Sequence, residues 1–334
     1  MLVALFSSLF YRRGTALDDL FFFTSYYLHS IDWSKLINFK IILFSILIEA
    51  FPFILLSVLL SALINNFVSE DILQRFTPKN KLLGLFLASG IGIFFPVCDC
   101  GMVPIVRRLI AKGVPLYFAV TFMLAVPIIN PVVGAATGFA FNGNSTVVIY
   151  RLAAAFFTAC LTGILLGSFW GRNALRQGDH ASDNPGHCGC HSLPASRRLS
   201  ITGKLIQTLR DAGDEFFEMG KYLLLGAMLS ALFQILLPRE VLLPLGSHPL
   251  FSIAFMMLFA FGSSVCSSAD AFIAASFSNS FSLGSLIAFM VFGPMIDAKN
   301  LLMLLHAFRP RFVVTLTAVA AVLCAGLSYL INIL

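Results

Sequence analysis

Residues 95–104 read Phe95-Pro96-Val97-Cys98-Asp99-Cys100-Gly101-Met102-Val103-Pro104 and lie inside a strongly apolar region. An unbroken lipid-facing helix does not accommodate them. Proline removes a backbone donor, and a carboxylate in hydrocarbon is expensive unless it faces a partner or water. Irregular backbone at membrane depth persists only where protein or a water-filled cavity surrounds it. The stretch is therefore expected to be the tip of a discontinuous helix and a candidate binding site.

The composition around it sets the class. Of 334 residues, 58% are hydrophobic and 11% charged, and the mean hydropathy is +0.90. That describes an all-α, multi-pass integral membrane protein rather than a soluble globule. The formal net charge of +6 is assigned to cytoplasmic loops, and no nucleic-acid partner is expected. Residues 1–38 alternate apolar and charged patches and are expected to form an interfacial segment. Leu2–Phe10 lacks the basic flank and small-residue cleavage site of a signal peptide. Seven cysteines, at 98, 100, 160, 188, 190, 266 and 324, do not suggest an extracellular disulfide framework. Cys160 and Cys324 sit in plain apolar runs and are expected to pack.

The first span is expected over 39–64, carrying Glu49 and Pro52. A short apolar limb, 82–97, leads into the Cys-Asp-Cys-Gly break, and a second ends in Arg107, Arg108 and Lys112. A further span over 115–140 contains Pro127, Asn130 and Pro131, and another covers 146–170. Residues 171–214 form a hydrophilic linker with the cluster His187-Cys188-Gly189-Cys190-His191. The second half then repeats the first. Leu60-Ser61-Ala62-Leu63 recurs as Leu229-Ser230-Ala231-Leu232, and Glu49 as Glu218, at an offset of 169. Val97-Cys98 recurs as Val265-Cys266 at 168, and Pro127/Asn130 as Pro294/Asp297 at 167. Shared order at a near-constant offset indicates gene duplication, with repeat 1 over 39–170 and repeat 2 over 215–334.

Lys and Arg mark the cytoplasmic side. Repeat 1 carries them after its broken segment and none in its later turn at 141–145; repeat 2 carries none at 276–282 and has Arg309 and Arg311 later. The exchange predicts two inverted repeats, each with about three spanning helices and one re-entrant hairpin, with the linker cytoplasmic. Eight plain spans are the alternative architecture. Opposed hairpin tips meeting near the midplane are a recurring design of secondary transporters.

The motifs Phe95-Pro96-Val97-Cys98-Asp99-Cys100-Gly101 and Ser264-Val265-Cys266-Ser267-Ser268-Ala269-Asp270, the Pro-x-x-Asn/Asp pair and the Cys/His linker resemble the permease family that includes ArsP, over roughly residues 39–334. The resemblance implies a transporter fold and a transport role. The family contains efflux permeases for trivalent methylated and aromatic arsenicals, alongside members without an assigned substrate.

Thiolates select soft ions, so Cys98, Cys100 and Cys266 are candidate ligands; the other reading is that small polarizable residues let two hairpins approach. Ser267 and Ser268 share the second tip. Asp99 and Asp270 lie close to the tips and, with Glu49 and Glu218, are candidates for proton coupling, although Lys221 is placed to form a helix pair with Glu218. Asn130 and Asp297 either line the site or satisfy a local kink. His187, Cys188, Cys190 and His191 are candidate metal ligands, or simply linker.

These features predict a secondary permease in the cell (inner or plasma) membrane. It is expected to export a small, soft or thiol-reactive solute such as a trivalent organoarsenical, with protons as the coupling ion. No Gly-x-x-x-x-Gly-Lys-Ser/Thr loop occurs. No cofactor and no enzymatic activity are expected; the partners are the solute and the bilayer, and a homo-oligomer is compatible. A carrier of another sulfur- or metal-containing solute, or a non-transporting membrane partner of a metal or redox complex, is the alternative.

Overall fold

The computed structural model describes residues 33–67, 80–93, 98–170, 174–175, 201–236 and 249–333. These form α-helices α1 (Trp33–Phe67), α2 (Lys81–Gly90, continued by a 3-10 turn Ile91–Ile93), α3 (Asp99–Ala111), α4 (Leu116–Ala125), α5 (Pro131–Ala140) and α6 (Ser145–Phe169). The second half supplies α7 (Ile201–Leu236), α8 (Pro249–Ser263), α9 (Asp270–Ser276), α10 (Leu283–Met295), α11 (Ala298–Ala307) and α12 (Pro310–Ile333). No strand occurs among the described residues. The protein is all-α, and the described residues hold five helical stretches long and apolar enough to cross a bilayer: Leu36–Phe67, Ser145–Phe169, Leu205–Leu236, Leu283–Ala307 and Pro310–Ile333. Phe95, Pro96, Val97, most of the N-terminal segment and the His187–His191 cluster lie outside the described residues.

Helix order recurs between the halves near the offset read from the chain, although α9 is about half as long as α3. α5 starts at Pro131 and α11 at Ala298, separated by 167 residues. Both begin at the same device. Asn130 Oδ1 accepts the Val132 amide at 2.9 Å, and Asp297 Oδ1 accepts the Asn300 amide at 2.6 Å. Each side chain, three residues after a proline, thus caps a half-helix that restarts after a break, satisfying an amide that the broken helix leaves unpaired.

Contacts between helices fix the direction of each limb. Lys112 Nζ donates to the carbonyls of Ile64 and Asn65 at 2.7 Å, so α3 finishes beside the finish of α1. Asn66 donates to Thr208 and Asp211 near the start of α7. Gly84 lies against Tyr117, and Gly92 against Val126 and Ile129, so α2 runs parallel to α4. Because α4 starts directly after α3, the pair α2–α3 enters and leaves at one end of the bundle. The finish of α6 and the start of α12 share that end, where Trp170 meets Phe312 edge-on at 5.7 Å. There, too, Leu175 bridges Phe308. In the second half Ser252 bonds Ser285 at 2.8 Å and Gly293 faces Ala260, so α8 runs parallel to α10. Gly284 packs on Ser328 and Asn332 late in α12, which places the entry of α8–α9 at the other end of the bundle.

Two packing features complete the frame. α11 of the second half lies on α3 of the first, and α5 of the first lies on α9 of the second. The tight seams also exchange roles. In the first half Gly163 and Gly167 of α6 receive Tyr117 of α4; in the second, Gly284 of α10 receives Ser328 and Asn332 of α12. Small residues at such seams let helices approach where lipid provides no hydrophobic drive.

Candidate functional site

The first tip is the N-terminus of α3. Cys98 is its N-cap residue in extended backbone, and Asp99 and Cys100 open the helix. Asp99 is 5% exposed and Cys100 2%. The Cys100 thiol faces that of Cys98 and lies 3.9 Å from Asp99 Oδ2. Pro104 has no amide to return to the Cys100 carbonyl, and its own carbonyl accepts Ser61 Oγ at 3.4 Å.

The N-terminus of α11 converges on this tip and brings Asp297, Lys299 and Asn300, all buried. Lys299 Nζ approaches Asp297 Oδ2 at 3.6 Å, which is longer than a hydrogen bond. The same ammonium is within electrostatic range of Asp99, Cys100 and Glu49. Asp297 Oδ2 and Asn300 Oδ1 are buried without a hydrogen-bond donor. The stem of Lys299 lies flat on α7 at Gly226, where any Cβ would collide with Lys299 Cα. Two helix N-termini, each a weakly positive pole, thus face three carboxylates, one ammonium and two thiols.

The second tip is organised differently. α8 ends where Ser264 takes a left-handed φ of 46°, and a turn through Cys266 leads to Asp270 at the start of α9. Arg151 of α6 reaches across from the first half. Its Nη2 donates to both oxygens of Asp270, at 2.9 and 2.8 Å, and to the Ser267 carbonyl at 2.8 Å. Its Nη1 donates to Thr137 Oγ1 of α5 at 2.8 Å. Arg151 is 1% exposed and Asp270 2%. Cys266 is half-buried, 3.2 Å from Ser268 Oγ, and faces Glu49. Asp270 is within electrostatic range of Asp99, which brings the two tips together.

The remaining candidates separate from the tips. Glu218 on α7 pairs with His306 Nε2 at 2.8 Å, and Tyr222 stacks on that imidazole at 4.4 Å. The partner of Glu218 is therefore His306 of α11, not the Lys221 that helical spacing suggests. Asn130 serves as the α5 cap. Among the described residues no group of three or more His, Cys, Asp or Glu stands close enough to hold a metal ion, so Cys266 does not join Cys98 and Cys100 in one cluster. Arg151 and Lys299 were not singled out from the chain alone. The signal that finds them is charge accounting: a lone cation inside a span needs a buried acid, and the acids at the tips need cations.

Comparison with known proteins agrees with this architecture. The family described as "Predicted permease" (ArsP_1) matches residues 35–333. The protein named "UPF0718 protein YcgR" of Bacillus subtilis (strain 168) is 46% identical over 88% of this chain and 97% of its own length. A Streptococcus mutans protein named "Putative two-component membrane permease complex subunit" is 40% identical over 81% of this chain and 87% of its own. No solved structure matches. With nearly the whole helical body matched, and with two broken helices converging on buried charges inside a bilayer-spanning bundle, the chain belongs to the ArsP-type predicted permease family.

Proposed function

We propose that this permease exports a small, soft, thiol-reactive solute, with a trivalent organoarsenical as the leading candidate, through a site between two hairpin tips. In this reading the two halves are inverted repeats, the linker side is cytoplasmic, and exposure of the site alternates between the two ends. Entry of α2–α3 at one end of the bundle and of α8–α9 at the other supports it. The observation that carries the solute class is the pair of adjacent thiols, Cys98 and Cys100, at a helix N-terminus. Thiolate is the ligand type preferred by soft centres, and two adjacent thiols can ligate one such centre together. Asp99, buried and next to those thiols, is the coupling group: its proton is the one whose loss or gain changes the charge of the site as the tips reorganise.

The test is flux in proteoliposomes, with and without a pH gradient, over methylarsenite, arsenite, small thiols, sulfur oxyanions and Cu(I). Methylarsenite flux is expected and should fall to background in Cys98→Ser/Cys100→Ser, whereas Cys266→Ser should retain transport because Cys266 stands apart. Asp99→Asn should transport without responding to the gradient. Undiminished flux in the double-serine variant would remove the thiol mechanism; absence of arsenical flux would remove the solute. The subunit name of the streptococcal relative favours one addition, a second membrane component. Co-purification from the native membrane would reveal it.

A further inference from the structure

The start of α11 has the makings of an oxygen-lined cation site. Asp297 cannot turn away, because its Oδ1 is held by the Asn300 amide at 2.6 Å. Its Oδ2 therefore points into the protein with no hydrogen-bond donor. Asn300 is fixed in the same way: its Nδ2 donates to the Met295 carbonyl at 3.3 Å, which leaves Oδ1 bare and buried. Asp99 of α3 and Glu49 of α1 lie within electrostatic range of that place and add negative charge to it without closing on it. Hard oxygen donors around excess negative charge are what alkali and alkaline-earth ions take as ligands. Yet the space beside Asp297 Oδ2 holds an ammonium, Lys299 Nζ, at 3.6 Å.

The lysine is kept there by its backbone and stem. Lys299 is the second residue of α11, so its Cα lies two positions from Asp297. Its stem is pressed on the bare backbone of α7 at Gly226, where a Cβ would fall on Lys299 Cα, Cβ and Cγ. The ammonium is 5% exposed with the rest of the residue and is within range of acids on three helices: Asp297 on the α11 cap, Asp99 on α3 and Glu49 on α1. A free ion in this place would have to be captured from solution on every cycle. Lys299 is captured covalently.

We propose that Lys299 is a tethered cation filling a cation site built by Asp297 and Asn300 at the start of α11, so that the permease works without a bound alkali-metal ion. The ammonium stands in for a monovalent ion: it brings one positive charge to acceptors that the fold leaves bare. Removing the side chain while keeping those acceptors should uncover the site and make it selective for a free small cation. This concerns the binding site itself and holds whichever solute the permease carries.

The experiment needs no substrate. Thermal unfolding of the full-length protein in detergent is followed in NaCl, KCl and N-methylglucamine chloride at equal ionic strength. The wild-type midpoint is expected to be the same in all three. Lys299→Ala is expected to be less stable in N-methylglucamine, and to regain several degrees in Na⁺ or K⁺ along a saturable curve, as binding to the native state requires. Lys299→Gln, which keeps most of the volume, guards against a folding failure of the alanine variant and should show the same saturable response. Lys299→Arg, which keeps the tether, should show none, and Lys299→Ala/Asp297→Asn should lose the response. A wild-type midpoint that depends on Na⁺ or K⁺ would overturn the proposal, as would Lys299→Ala and Lys299→Gln that are indifferent to the cation.

Discussion

Replacing Arg151 by methionine is expected to cost about 3–5 kcal/mol of stability, the range found when one member of a buried ion pair is removed. The pair is closed: Arg151 is 1% exposed and Asp270 2%. Four hydrogen bonds donated by the guanidinium are lost with it, two to Asp270, one to the Ser267 carbonyl and one to Thr137 Oγ1. The stranded Asp270, buried as it is, then lacks its counter-charge, and the second tip loses its tie to α5 and α6. The expected readout is a lower unfolding midpoint in detergent and faster proteolysis of the 264–270 turn. Arg151→Met/Asp270→Leu should recover most of the midpoint, because replacing both members by apolar groups removes the desolvation cost together with the attraction. Transport should stay impaired in the double variant, since the tip geometry is not restored. A loss of less than about 1 kcal/mol for Arg151→Met, the value of an exposed pair, would mean that water reaches the guanidinium.

The second large effect is expected at the α4–α6 seam. A Cβ at Gly167 would stand 2.6 Å from Tyr117 Cβ and 3.1 Å from Tyr117 backbone atoms, and one at Gly163 would meet the Tyr117 carbonyl at 2.8 Å. Backbone cannot step aside as a side chain can, so Gly167→Asn should cost at least the roughly 1–3 kcal/mol typical of overpacking. The second half shows the cure. Gly284 stands where Tyr117 stands, 167 residues on, and Ser328 and Asn332 stand where Gly163 and Gly167 stand, 165 residues on. A Cβ at Gly163 would also strike the Thr121 hydroxyl, and Ala288 stands where Thr121 stands, 167 residues on. The quadruple change Tyr117→Gly/Thr121→Ala/Gly163→Ser/Gly167→Asn therefore gives the first seam the residues of the second. Its midpoint is expected above that of Gly167→Asn alone. Additive losses in the quadruple variant would show that the two seams are not interchangeable.

Part of this frame was legible in the chain because local features recur at a near-constant offset. Pro127/Asn130 and Pro294/Asp297 are visible as a pair, and the Asn130 amide and the Asp297 acid each cap a half-helix. The broken segment was legible because Pro, Gly and Asp are each costly in a lipid-facing helix. Charge partners were not legible. Helical spacing offered Lys221 to Glu218, but His306, 88 residues away, holds it. Arg151 and Asp270 are 119 residues apart and lie in opposite halves. Side-chain chemistry names what a buried charge needs; only the three-dimensional arrangement says which residue meets the need. The cysteines show the same limit. Three thiols near two tips suggested one cluster, but Cys266 turns to Ser268 and Glu49 instead.

The crossed seating of the half-helices, α11 on α3 and α5 on α9, joins the two halves at both tips. Each half-helix also keeps a seat in its own half, α11 on α7 and α5 on α6. A displacement of either tip is therefore passed to the other half through the half-helix that rests on it, and the two halves are mechanically linked on both sides of the site rather than free to move apart.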